Sequence, residues 1–354
     1  MIFAADVQKE NNMNDFLNDY NQTVHPSLLK SFIDINNKKL AGYGLDEYCK
    51  QAITNIQKRL QSPHADVHFM PGGTITNLTV ISHILKPYQA VIAANTGHIN
   101  VHETGAIEAT GHKVITVPTA DGKLTPELIA PVLFHHSDEH MVQPKLIYIS
   151  NTTELGTIYS QQDLKNLYQF CQKNHLFLYL DGARLAMALA AKDNDLALPD
   201  LAKYTDVFYI GGTKVGAFAG EMVIFNNLSI NQDFRFSMKQ KGAILAKSWI
   251  VAVQMNELMQ NDLYFQLGQH SNNMANKLKT VFEKAGLTFA SKPQTNQLFV
   301  NFPNQLAEKI IAHYAVDNLG PIDDHNCCLR FCTSWSTQID EIDRLERLLQ
   351  SWLS

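Results

Sequence analysis

No stretch of this chain approaches about 18 uninterrupted apolar residues, so no membrane-spanning helix is expected. Its first twelve residues, MIFAADVQKENN, carry no basic segment ahead of a long apolar run, which argues against a secretory signal. Cysteine is scarce. Five in 354 residues is an odd number that does not make a disulfide framework. Adjacent Cys327 and Cys328 cannot easily bridge each other, and they lie in an apolar run that reads as a strand. Reduced thiols and a cytoplasmic setting are the expectation. An excess of positive charge is also missing. With 29 Lys and Arg against 34 Asp and Glu, the net charge is −5, which gives no electrostatic reason to bind nucleic acid or an anionic membrane. Internal repeats, low-complexity tracts and a long flexible linker are absent. So is a GxGxxG turn with an acidic residue about 20 positions on, which removes the dinucleotide-binding reading.

What is present is an ordinary globular composition, 45% hydrophobic and 18% charged. The length suits two domains or one large α/β domain. Three short apolar runs stand out: Leu176–Leu180, Asp206–Ile210 and Glu221–Phe225. The first ends in Asp181-Gly182-Ala183-Arg184, and the second in Gly211-Gly212-Thr213-Lys214. Runs this short, rich in β-branched and aromatic residues and stopped by glycine, predict buried strands. Ligands of such sheets sit at strand ends. A carboxylate, a guanidinium and an amine are therefore directed to one crevice.

That trio suits pyridoxal phosphate. The cofactor needs a lysine to hold its aldehyde as a Schiff base and an acid to pair with its pyridine nitrogen. Lys214 is the candidate lysine, since apolar surroundings favour its neutral, nucleophilic amine. Asp181 is the candidate acid. Taken alone, Lys214 also reads as a surface lysine, and Asp181-Gly182 as a plain turn.

Elsewhere, His25-Pro26 opens a helix to about Asn36, and a second helix starts near Asp46. Val67–Met70 reads as a strand leading through Pro71-Gly72-Gly73-Thr74 into a helix from about Thr76 to Leu85. A strand, a glycine turn and a helix commonly hold phosphate, because free amides and the helix dipole favour an anion. Gly73 and Thr74 are the phosphate candidates. Ala90–Ala94, Val114–Val117 and Leu146–Ser150 are further strands, with helices over 124–140 and 163–173. His135, His136, Asp138, Glu139 and His140 are read as a polar helix end, so no metal site is expected. Strands alternating with helices over 67–225 imply a mostly parallel sheet. Residues 232–285 read as mainly helical. Gln297–Phe302 and Cys327–Cys332 are strands of a smaller domain, closed by a helix at 338–353. The division expected is a large α/β domain over 1–248, its residues 1–13 a loose tail, and a small C-terminal α+β domain over 249–354.

In this order and spacing, the segments resemble the fold-type I pyridoxal phosphate enzymes, and within them the low-specificity L-threonine aldolases of the β-eliminating lyase group. The resemblance covers about residues 15–350. It is carried by Asn18-Asp19-Tyr20, Tyr43-Gly44-Leu45-Asp46, Gly72-Gly73-Thr74-Ile75-Thr76-Asn77, Gly97-His98-Ile99 with Glu103, Asp181-Gly182-Ala183-Arg184, Gly212-Thr213-Lys214 and Leu329-Arg330-Phe331. It implies a mostly parallel, seven-stranded type of sheet flanked by helices. It implies that Lys214 holds the cofactor, Asp181 pairs with the ring nitrogen, His98 stacks on the ring and relays a proton, and Gly73 and Thr74 bind phosphate. Arg184 and Arg330 would hold the substrate carboxylate or the cofactor phenolate, with Asn18 beside the carboxylate. Tyr43 and Lys247 would reach the phosphate of a neighbouring subunit, in a homodimer or homotetramer. The sequence departs from the family where Asn18 replaces a serine, where a motif that often carries histidine reads Asn151-Thr152-Thr153-Glu154, and where Thr213 precedes the lysine.

The resemblance implies retro-aldol cleavage of a β-hydroxy-α-amino acid such as L-threonine or L-allo-threonine. His98, or a water near it, is the expected base, with Glu103 the runner-up. β-Elimination, transamination or racemisation on the same scaffold are the alternatives, since fold does not settle chemistry. A non-enzymatic cofactor sensor would be expected to carry a DNA-binding module or basic stripe, and none is present.

Overall fold

The computed structural model describes residues 14–353, so the expected loose tail of residues 1–13 lies outside the described residues. A two-residue strand, β1 (Asn14–Asp15), is followed by helices α1 (Pro26–Ile35) and α2 (Glu47–Arg59). Pro26 occupies the first turn of α1, where its missing N–H is not needed. Asp46 caps α2, its Oδ1 accepting from the Cys49 amide at 2.9 Å.

The alternation then begins. Strand β2 (Asp66–Met70) leads into α3 (Gly73–Ile84), and β3 (Gln89–Ala94) into the single turn α4 (His98–Val101). Next come β4 (Val114–Val117), α5 (Pro126–His135), β5 (Gln143–Ser150), α6 (Gln161–Lys173), β6 (Phe177–Asp181), α7 (Leu185–Leu189), α8 (Leu198–Tyr204), β7 (Val207–Gly211) and β8 (Glu221–Phe225). Strands β2 to β8 form one seven-stranded sheet in the order β2-β8-β7-β6-β5-β3-β4. Strand β8 runs antiparallel to β2 and β7, and the other pairings are parallel. Every residue of β3, β7 and β8 is buried, as the uninterrupted apolar runs require of a sheet covered on both faces. One apolar core, with Ile92, Ile147 and Leu180, fills one face; another, with Val91, Tyr148 and Tyr209, fills the other.

Two expected boundaries move. Helix α3 starts at Gly73, three residues before Thr76, because the glycine turn is itself the first helical turn. Helix α5 stops at His135 rather than running to 140. Asp138, Glu139 and His140 are exposed and offer no apolar stripe to bury.

Helices α9 (Phe234–Gln240), α10 (Trp249–Met259) and α11 (Leu263–Lys284) follow. Along α11 the apolar side chains pass from the first core (Tyr264, Leu267) to a separate one (Met274, Leu278, Phe282). That separate core covers a four-stranded antiparallel sheet ordered β12-β13-β10-β9, built from β9 (Thr288–Phe289), β10 (Gln297–Pro303), β12 (Asp317–Pro321) and β13 (Asn326–Cys332). Helices α12 (Asn304–His313) and α13 (Ile339–Leu353) pack on it. Strand β11 (Tyr314–Ala315) pairs in parallel with β1, and Phe16 plugs into this second core. The first described residues are thereby fastened to the C-terminal sheet, where the Phe16 carbonyl accepts from the Cys332 amide at 2.7 Å.

Candidate active site

The ends of β6, β7 and β5, with the turns that open α3 and α4, surround a cavity of about 350 Å³. Lys214, Asp181, Arg184, His98, Gly73 and Thr74 all line it. An adjoining cavity of about 400 Å³ is lined by Asn18, Arg330, Arg184, His98 and Lys214. Eight of the ten residues singled out from the sequence thus meet at one place.

Asp181 ends β6 and is buried. Its Oδ1 accepts from the Ala183 amide (2.9 Å) and the Tyr209 hydroxyl (2.5 Å). Its Oδ2 accepts from the Tyr148 hydroxyl (2.6 Å) and Asn77 Nδ2 (3.0 Å). Burial works against the charge, but nearby His98 and these donors outweigh it and hold the carboxyl below its usual range. Gly182 is required next to it, because a Cβ there would meet the Tyr209 carbonyl oxygen at 1.9 Å.

Lys214 sits in the helical turn after β7. Burial, then the Arg184 charge, push its ammonium below the usual lysine range, against the opposing pull of Asp19 and Asp181. Its turn is held by Glu221, whose Oε2 accepts from the Gly212 amide (2.9 Å) and Oε1 from the Thr213 hydroxyl (2.8 Å). Burial pushes the Glu221 carboxyl up to about 8.

Arg184 faces the cavity but is already engaged. Its Nε and a terminal nitrogen grip buried Asp19 at 2.7 and 3.0 Å, a forked pair. Asn296 Nδ2 donates to the same carboxylate at 3.0 Å. Burial opposes the charge, yet Arg184 and Lys214 bring the Asp19 carboxyl down to about 2. The half-buried Arg330 guanidinium meets Asp317 at 3.0 Å and donates to the Leu17 carbonyl at 3.4 Å, while its Nε has no partner among the described residues. Asn18 accepts from the Tyr20 amide at 2.9 Å.

His98 opens α4, and its Nδ1 meets Glu103 Oε1 at 2.8 Å. Glu103 is fully buried and lines neither cavity. It lies behind the imidazole, linked through Asn77 (2.7 Å) to Asp181. Glu103, the second candidate base, thus contacts the cavity only through His98. A histidine whose one nitrogen is held by a carboxylate presents the other to the cavity.

Tyr43 and Lys247 do not reach either cavity. Tyr43 is 43% exposed with φ +57°, its amide bonded to Ala246 and its carbonyl to Arg235. Lys247, which follows Ala246 in sequence, is exposed. Residues the sequence reading did not assign also line the cavities: Tyr20, His102, Gln297 and Glu154. Tyr20 and Glu154 lie within the Asn18-Asp19-Tyr20 and Asn151-Thr152-Thr153-Glu154 segments, but no local pattern in the sequence distinguishes their side chains.

These groups fit pyridoxal phosphate. An ionised carboxylate and a lysine with a weakened hold on its proton face one cavity, and the N-terminus of α3, without a side-chain cap, faces it too. A model of the Beta-eliminating lyase family matches residues 39–305. The low specificity L-threonine aldolase of Pseudomonas aeruginosa is 27% identical over 339 residues, covering 94% of this chain and 96% of the relative. A solved structure of Leishmania major threonine aldolase superposes with a TM-score of 0.95 at 45% identity, covering 96% of this chain and 99% of that one. An aspartate aminotransferase from Thermus thermophilus shares the fold alone, with a TM-score of 0.71 at 12% identity over 97% of this chain and 92% of its own. The chain belongs to the Beta-eliminating lyase family and is a pyridoxal-phosphate-dependent lyase of fold type I.

Proposed function

We propose that this enzyme cleaves β-hydroxy-α-amino acids, L-threonine or L-allo-threonine among them, to glycine and an aldehyde. The supporting observation is the meeting of Lys214, Asp181, His98, Arg184 and Arg330 around adjoining cavities, in a chain 45% identical to a threonine aldolase. When bound, the cofactor supplies an electron sink for the pair released at the substrate Cα.

The residues divide the remaining work. Lys214 is the amine that would hold the cofactor. Asp181 would pair with the ring nitrogen and keep it protonated. Gly73 and Thr74, at the start of α3, take the phosphate. Arg330 and Arg184 clamp the substrate carboxylate, with Asn18 beside them, and so set which Cα bond breaks. His98 would pack on the ring, and its cavity-facing nitrogen takes the β-hydroxyl proton while Glu103 positions it.

Tyr43 and Lys247 serve a neighbouring subunit's phosphate, which requires a homodimer or homotetramer with sites at the dimer interface. A cytoplasmic setting accords with five cysteines that are all free and buried. Among the described residues no helix is long and apolar enough to cross a membrane. The test is product analysis with L-threonine and added cofactor. Acetaldehyde and glycine are expected. Ammonia and a keto acid would instead place the enzyme with the eliminating or transaminating alternatives.

A further inference from the structure

Among the described residues, Glu154 and Glu221 are the cavity-lining carboxylates that neither the cofactor nor an arginine claims, and both oxygens of Glu221 are taken by Gly212 and Thr213. Glu154 lines both cavities together with Lys214's neighbours His98 and Arg184. It follows β5 at the strand-end motif Asn151-Thr152-Thr153-Glu154. Its Oε1 accepts two hydrogen bonds, from the Ser150 hydroxyl (2.6 Å) and the His98 amide (3.0 Å). No hydrogen bond to its Oε2 is found among the described residues, and that oxygen is not among the sealed polar atoms. The carboxyl is therefore anchored by one oxygen and offers the other.

We propose that Glu154 is the general acid that returns a proton to the substrate Cα, paired with His98 as the base. This rests on the lyase reading. The proton balance needs two such groups or one that moves. The Cα–Cβ bond breaks and its electron pair stays at Cα. The β-hydroxyl O–H proton passes to His98, and the O–H pair becomes the aldehyde π bond. The proton on Glu154 Oε2 forms the new Cα–H bond of glycine. His98 and Glu154 are then left as imidazolium and carboxylate, and one proton transfer between them restores the start.

The surroundings suit an acid. Burial, and then the charge of Asp181, push the Glu154 carboxyl above its usual range. Tyr148 and Tyr159 face it as neutral phenols, and Arg184 is the cation that feels its charge. Two carboxylates of one cavity are thus driven apart, Asp181 toward the ionised form and Glu154 toward the protonated one.

The experiment follows exchange of the glycine Cα proton in deuterium oxide by NMR, on holoenzyme, with glycine affinity read from the cofactor's absorbance. Glu154→Gln keeps an oxygen to accept from Ser150 and His98 but has no proton to give. It is expected to bind glycine within about threefold of wild type. Its exchange is expected to slow roughly 10²- to 10⁴-fold. If Glu154→Gln does not fold, the question passes to Glu154→Ala, where recovery of exchange on adding formate supports the role and its absence overturns it. Glu154→Gln exchanging at the wild-type rate, in an enzyme that binds glycine and cleaves threonine, overturns this assignment alone. Wild-type enzyme that neither binds glycine nor cleaves any β-hydroxy amino acid overturns the lyase reading as well.

Discussion

Asp19 shows how much of a site hangs on a side chain that never touches the chemistry. It is fully buried, forks onto Arg184 and is braced by Asn296. Removing it leaves a buried guanidinium uncompensated. Asp19→Ala is expected to cost about 3–5 kcal/mol of stability in chemical denaturation. The acid response follows from the same pair. An unfolded aspartate titrates near ~3.9, whereas Asp19 in the folded chain is held down to about 2. Its stabilising contribution is thus complete above about pH 4 and drains away as pH falls through about 2. Asp19→Asn should flatten the acid limb of a stability profile over that window; an unchanged limb would mean the pair contributes nothing. At the chemistry itself, Lys214→Ala should abolish turnover, whereas His98→Ala should cost roughly 10²–10⁴-fold in kcat. Equal, mild losses from both would contradict their roles.

At the scale of elements, the site is a set of strand ends, and those were the most legible part of the chain. Val207–Gly211 and Glu221–Phe225 stand out as apolar runs cut by glycine because a sheet covered on both faces tolerates nothing else. Lys214, Asp181 and the Gly73 turn followed from those ends. Other elements left no such mark. Strand β12 is mostly exposed and polar, so it has no alternation to detect, yet it delivers Asp317 to Arg330. The Asp19–Arg184 pair joins positions 165 apart, and Glu103 sits behind His98 only because α4 is a single turn. Such contacts belong to the tertiary fold and not to any local pattern. The junction of β6 and β7 also sets a limit on substitution. A methyl group at Gly182 would collide with the Tyr209 backbone. Gly182→Ala should therefore shift the strand end that carries Asp181, destabilising the fold by about 1–3 kcal/mol and weakening cofactor retention on gel filtration.

On the scale of the whole molecule, the outward placement of Tyr43 and Lys247 makes assembly a functional question. Light scattering is expected to give a dimer or tetramer. Lys247→Ala should weaken cofactor affinity without altering the fold, and a fully active monomer would refute the shared site. Within one chain, two cores meet along α11, and the second of the adjoining cavities opens between the main sheet and Arg330 and Gln297 of the C-terminal sheet.

The first described residues tie these bodies together. Asn14 and Asp15 zip onto Tyr314 and Ala315, Phe16 plugs the smaller core, and Asp19 reaches across to Arg184. Residues 14–20 thus act as a tie rod, and Asn18 and Tyr20 ride on it into the cavities. Any tilt of the C-terminal sheet would drag those two side chains with it, so the shape of the cavity and the geometry between the two cores are mechanically geared to each other.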